Sequence, residues 1–233
     1  MRQTIAHCQR IELLGQRVRL HFECAAALAP GQFVLARVAP AFDPYLRRPL
    51  FPSAITPNGF AADLAEDDPA LRFIAPGSNV DMLTPAGSPV GGPPRASRLL
   101  LIADQTPAVL LPLAARAIEA SGNVTLLLAQ PYPLDALDPR LEIRVGSLPE
   151  LAADFAPAAD LVFIHTAQNL HRPIAQALAS ARPTVATGFA RALLAPPMPC
   201  GAGACGACAV RTARGWKPAC TEGPFFNLAD LET

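Results

Sequence analysis

The stretch "RLLLIADQTPAVLLPLAARAIEASGNVTLLLA", residues 98–129, decides the architecture of the chain. Arg98 to Ala103 is a short continuous apolar run, the pattern of a strand buried on both faces. Ala108 to Ala120 then spaces its apolar residues as a helix does, and Gly122 stops that helix before a second buried strand, "VTLLLA". Pro112 falls early in the helix, where proline is least disruptive. Strand, helix and strand in this order predict a parallel pair joined by a crossover.

The rhythm continues toward the C-terminus. "LEIRV", "DLVFIH" and "TVATG" supply three further predicted strands, and "LPELAADFA" and "RPIAQALASA" the helices between them. Strands alternating with helices argue for a doubly wound parallel sheet. In the other direction, "GSPVGGPPRAS" (Gly87 to Ser97) suits neither a helix nor a strand interior and marks a domain boundary. Before it, "RVRLHFEC", "GQFVLARV" and "ALRFIAPGSNVDML" alternate apolar and polar residues between turn signals, the signature of a small antiparallel barrel or sandwich. We therefore expect an α+β two-domain chain: an antiparallel β-barrel over 1–92, an α/β doubly wound sheet over 98–195, and a cysteine-bearing segment over 196–233.

Composition narrows the functions. The 233 residues carry a formal net charge of zero and are 51% hydrophobic, so no basic footprint points to nucleic acid or to an anionic membrane surface. No apolar run reaches the roughly 20 residues of a spanning helix, and "MRQTIAHCQRIELLG" lacks the long uninterrupted apolar stretch expected of a signal peptide. A cytoplasmic location is expected, where thiols stay reduced and clustered cysteines serve as metal ligands more often than as disulfides.

Four of the six cysteines lie close together. Cys200, Cys205 and Cys208 follow the C-x4-C-x2-C spacing, and Cys220 follows after "AVRTARGWKPA". This is the plant-type ligand pattern of a 2Fe–2S cluster. Gly201, Gly203 and Gly206 remove side-chain bulk, so that backbone N–H groups approach sulfur and the chain takes positive φ angles. Zinc is the competing metal, since four cysteines also make a closed tetrahedral site, but zinc folds more often use two C-x2-C pairs. Cys8 and Cys24 lie in strand-like runs and are expected to be buried core thiols.

"PGQF" (Pro30 to Phe33), "RRP" (Arg47 to Pro49), "CGAGACGAC" and "CTEGPFF", in this order, resemble the electron transfer subunit of the nicotinamide-linked dihydroorotate dehydrogenases, within the ferredoxin reductase superfamily. The resemblance covers nearly the whole length and is most specific at Cys220. It implies FAD on the barrel, with Arg48 and Pro49 as the family's cofactor-binding pair. It also implies NAD on the α/β domain and a 2Fe–2S cluster on Cys200, Cys205, Cys208 and Cys220. The implied partner is a flavin-containing dihydroorotate dehydrogenase-like catalytic subunit in a hetero-oligomer, and the implied setting is pyrimidine biosynthesis. The implied function is that of an oxidoreductase subunit relaying electrons through the cluster between that partner and FAD/NAD or another acceptor.

The chain departs from the family in places. Phe51 stands where the family has a hydroxyl for the flavin, and Ser53 is displaced by a proline. Glu66, Asp67 and Asp68 occupy the stretch where a Gly-Thr phosphate-binding turn is expected. Asp104 to Pro107 replaces a glycine-rich turn, and "HTAQ" (His165 to Gln168) replaces a Cys-Gly-Pro. These departures motivate an alternative, a divergent 2Fe–2S carrier or adaptor that has lost FAD or NAD binding. A non-redox zinc scaffold is a third possibility. His165 is expected to be a satisfied histidine at a strand end, His171 a surface residue near a helix start, and Trp216 a shield beside the cysteines.

Overall fold

The computed structural model describes residues 1–25, 27–39, 46–91, 94–182 and 184–231. Gly92, the expected end of the first domain, lies outside them. The chain divides into two units, one of residues 1–90, 195–210 and 217–224, the other of 91–194, 211–216 and 225–233.

The first unit is a seven-stranded antiparallel sheet. Its strands are β1 (Arg2–Leu14), β2 (Arg17–Glu23), β3 (Phe33–Arg37), β4 (Arg48–Leu50), β5 (Pro52–Thr56), β6 (Gly59–Ala65) and β7 (Asn79–Ala86). Their spatial order is β4-β3-β7-β1-β2-β6-β5. β4 and β5 therefore lie at opposite edges, yet only Phe51 separates them in sequence. One residue spans about 7 Å at most between its neighbours, so the two edges meet and the sheet curls into the expected barrel. Alternation along β2 buries Val18, Leu20 and Phe22, and these pack with Ala6, Cys8, Cys24, Val34, Phe60 and Met82. Cys8 and Cys24 are the core thiols anticipated from the sequence.

One expectation in this unit fails. "ALRFIA" reads as part of a strand, but Pro69–Arg72 forms a 3-10 turn and Phe73 is exposed. Asp68 accepts a hydrogen bond from Ala70 N at 2.9 Å and so caps the turn, while Pro69 fits its first position.

The second unit holds β8 (Arg98–Ala103), α1 (Leu111–Glu119), β9 (Asn123–Leu128), β10 (Glu142–Val145), α2 (Leu148–Phe155), β11 (Leu161–His165), α3 (His171–Ala181) and β12 (Ala190–Leu193). Beyond it come a hairpin, β13 (Ala209–Thr212) with β14 (Gly215–Pro218), and a last strand, β15 (Phe225–Asn227). The main sheet has the order β10-β9-β8-β11-β12-β15. All pairs are parallel except β12 with β15. From β8 the chain steps through β9 and β10 toward one edge of the sheet, and β11 and β12 lie toward the other edge, the doubly wound arrangement with its switch point between β8 and β11. Leu148 and Ala152 of α2 and Ile174 and Leu178 of α3 pack on Leu100, Ile102, Val162 and Ile164 of the sheet.

"TVATG" is not the fifth parallel strand. Phe189 N donates to Ala186 O at 3.0 Å, Gly188 has φ +82°, and the ladder begins only at Ala190. The turn consumes the residues whose β-branched composition suggests a strand, and Val185 stays exposed. Among the described residues, no helix is long and apolar enough to cross a membrane.

Candidate metal centre and cofactor sites

The four clustered cysteines belong to the first unit. Backbone contacts seat the segment at the end of β7: Gly87 N donates to Cys220 O at 2.9 Å and Ser88 N to Gly223 O at 2.7 Å. Ser88 Oγ donates to Thr221 O at 2.9 Å. Cys208 O accepts from Ala219 N at 2.9 Å, which brings the third and fourth cysteines side by side across 12 residues.

The thiols associate as two pairs. Cys208 Sγ lies 3.3 Å from Cys220 Sγ, and both residues are buried. Cys200 neighbours Cys205, which is exposed. Cys200 also accepts from backbone N–H groups at Ala202, Cys205 and Ala204. These donors, Ala202 first, draw its thiol down to about 6. Burial, followed by the neighbouring Cys208, pushes Cys220 up to about 12, against the N–H of Gly203, whose nitrogen lies 3.2 Å from Cys220 Sγ. Two thiols and two thiols is the division a binuclear iron cluster uses, and all four become thiolates on binding iron. The donor set is the one a 2Fe–2S cluster takes, and Cys208 with Cys220 supplies one close pair, while among the described residues no three ligating side chains are drawn together around one metal position.

The expected glycine conformations are present: Gly201, Gly203 and Gly206 have φ of +67°, +73° and +71°. A Cβ at Gly201 would strike Leu35 Cδ1, in the middle of β3, and would press on the Met1 side chain. Gly201→Ala thus combines a left-handed backbone penalty of ~1–2 kcal/mol with a steric conflict against a fully buried leucine. The expected result is a lower iron content per chain and a lower unfolding temperature, read by iron assay and circular dichroism.

Arg48 and Pro49 lie in β4, beside the barrel closure. The Arg48 fork meets Asp68, with Nη1–Oδ1 and Nη2–Oδ2 both 2.6 Å. Arg47 pairs with Asp81 at 2.7 Å. Phe51 packs on Phe33 with ring centroids 5.0 Å apart, and the Ser53 hydroxyl donates to Asp63 Oδ1 at 2.6 Å. Asp68 and Asp63 as partners of these positions are not evident from the sequence. "DP" at 68–69 signals a capped turn, but nothing local indicates a partner 20 residues earlier.

At the switch point of the second unit, Asp104 Oδ2 accepts from Ala167 N at 2.8 Å. His165 Nδ1 lies 3.0 Å from Thr106 O, the satisfied strand-end histidine expected. His171 is a correction: it is 2% exposed rather than on the surface, because its position on α3 faces the core with Ile174 and Leu178. Burial lowers its pKa, opposed by a hydrogen bond to the Thr166 backbone. Trp216 is a second correction. It lies on β14 and is 67% exposed, since a two-stranded hairpin buries little of either strand, so it is no shield.

The fold is thus an antiparallel barrel and a doubly wound α/β sheet, with the clustered thiols in the barrel unit. Residues 196–232 match the family model of the iron-sulfur cluster binding domain of dihydroorotate dehydrogenase B. This match bears out the resemblance over the C-terminal segment and supports an oxidoreductase-type electron transfer role. No curated protein matches the chain. Among solved structures, an NADH-dependent reduced ferredoxin–NADP oxidoreductase studied for flavin-based electron bifurcation is similar with a TM-score of 0.76 and 20% identity, over 97% of this chain and 89% of that one. The ferredoxin reductase of carbazole 1,9a-dioxygenase gives 0.62 and 14%, over 77% and 65%. A siderophore-interacting protein of Acinetobacter baumannii gives 0.61 and 14%, over 82% and 88%. At these identities the structures establish the fold.

Proposed function

We propose that this chain is the electron transfer subunit of a dihydroorotate dehydrogenase-type oxidoreductase, in the cytoplasm and in complex with a flavin-containing catalytic subunit. Cys200, Cys205, Cys208 and Cys220 are the ligands of a 2Fe–2S cluster, and the barrel takes FAD beside Arg48 and Pro49. The observation that carries this reading is the presence of all four cysteines, with Cys208 and Cys220 in contact, within the segment that matches the iron–sulfur domain. The flavin is supported by the likeness to a flavin-based oxidoreductase over almost the full length.

A 2Fe–2S cluster stores one electron, and a flavin beside it divides a two-electron donor's pair into single steps. The chain's own residues set the conditions for this. Gly203 directs an N–H at the Cys220 sulfur, where it stabilises negative charge. Burial of Cys208 and Cys220 keeps water from one thiol pair, while Cys205 leaves the other at the surface, on the side open to a partner. At Arg48, the N–H donors not engaged by Asp68 remain available for a diphosphate.

One observation favours the alternative in which NAD is not a ligand. The Ala167 N–H, a donor at the switch point where dinucleotides bind in such sheets, is already engaged by Asp104. On that reading the chain exchanges electrons with another acceptor.

The test is an anaerobic purification with absorbance spectrum, metal analysis and acid release of flavin. The expected result is about two irons and two sulfides per chain, with FAD. Zinc without sulfide would overturn the cluster assignment. Reduction of the loaded protein by NADH would support the complete subunit, and reduction by dithionite alone would support the NAD-independent carrier.

A further inference from the structure

Asp68 is held from two sides. Its Oδ1 accepts from Ala70 N at 2.9 Å as the cap of the 3-10 turn, and both oxygens receive the Arg48 fork at 2.6 Å. The Asp68 side chain is 11% exposed and that of Arg48 35%, so the acid is the more enclosed member and the arginine the more accessible one. A bidentate pair of this geometry matches the planar fork to a carboxylate as it would to a phosphate. The pair has no net charge, and Glu66 and Asp67 add exposed negative charge next to it. Arg47, the other cation of the "RRP" motif, is already paired with Asp81.

We propose that Asp68 sets the flavin affinity of this chain: by occupying the Arg48 fork it competes with the diphosphate of FAD, and the flavin is held as an exchangeable ligand. The proposal rests on the flavin reading above and deepens it. A diphosphate approaching Arg48 finds the bidentate face of the guanidinium taken and a carboxylate behind it. It must displace Asp68 or accept the remaining N–H donors. Asparagine at 68 keeps a carbonyl oxygen for the Ala70 N–H and removes the charge, so the turn persists while the competition falls.

The experiment measures FAD dissociation constants by flavin fluorescence on cluster-loaded wild type, Asp68→Asn, Arg48→Gln and the double variant, with the cluster spectrum and unfolding temperature as folding controls. Asp68→Asn should bind FAD about tenfold tighter or more, Arg48→Gln should bind more weakly, and the double variant should lose the gain. Unchanged or weaker binding by Asp68→Asn, with wild type binding FAD, would overturn the proposal alone and make Asp68 a positioning partner of Arg48. A gain that survives in the double variant would overturn it too, since the effect would then be general charge. No FAD on any variant would overturn the flavin reading and this proposal with it.

Discussion

The Cys220→Ala protein is expected to fold and to purify without its cluster, with iron and acid-labile sulfide reduced about tenfold or more. Cys220 is tied into the first unit through its backbone, by the Gly87 N–H on its carbonyl, and alanine keeps that bond. What disappears is a sulfur 3.3 Å from Cys208 and the acceptor for the Gly203 N–H. The iron held by Cys208 and Cys220 would be left with a single thiolate. Cys8→Ala is the matched control. Cys8 is just as buried, at 1% exposure, but lies in the barrel core on β1, where a lost sulfur costs about 1 kcal/mol of packing and no ligand. Iron analysis and the visible spectrum of the two variants check this. Equal retention of the cluster would remove Cys220 from the ligand set, and equal loss would attribute the effect to folding.

The contrast between those two cysteines was open to inspection in the sequence, and the reason is physical. The proposed cluster ligands are confined to a short segment, so their spacing and the small residues between them are written locally, while Cys8 sits in a period-two run that declares a core. The parallel strands were equally legible, because burial on both faces leaves continuous apolar stretches such as Arg98 to Ala103. The failures share another cause. "ALRFIA" and "TVATG" are short apolar runs whose fate depends on a cap and a turn, at Asp68 and Gly188, that outweigh their strand propensity. β15 adds "FFN" antiparallel to β12, and three residues carry no period to read. His171 and Trp216 were misplaced because exposure follows from what lies opposite a residue, which the helix start and the hairpin do not reveal. The pairings of Arg48 with Asp68 and Ser53 with Asp63 join different strands and loops of the barrel, and no local signal encodes them.

The second of those pairings leads to the largest expected loss of stability. Asp63→Ala should destabilise the first unit by about 3–5 kcal/mol. Arg19 and Asp63 face each other across β2 and β6 in register, with Nε–Oδ1 at 2.7 Å and Nη2–Oδ2 at 2.9 Å. The Asp63 side chain is fully buried and that of Arg19 is 14% exposed, so removing the carboxylate leaves a largely desolvated guanidinium without it. The same carboxylate accepts the Ser53 hydroxyl, which anchors β5, the edge strand that closes the barrel against β4. Asp63→Asn should cost less, since the amide oxygen still accepts from Ser53 or Arg19. Replacing both members by apolar residues, Arg19→Met with Asp63→Leu, should recover much of the loss, because the penalty belongs to a largely buried charge that has lost its bidentate carboxylate and not to the absence of the pair. Denaturant unfolding followed by circular dichroism measures all three. A loss below about 1 kcal/mol for Asp63→Ala would mean that water reaches Arg19 as readily as at a surface pair. A full loss would show that closure of the barrel depends on this carboxylate.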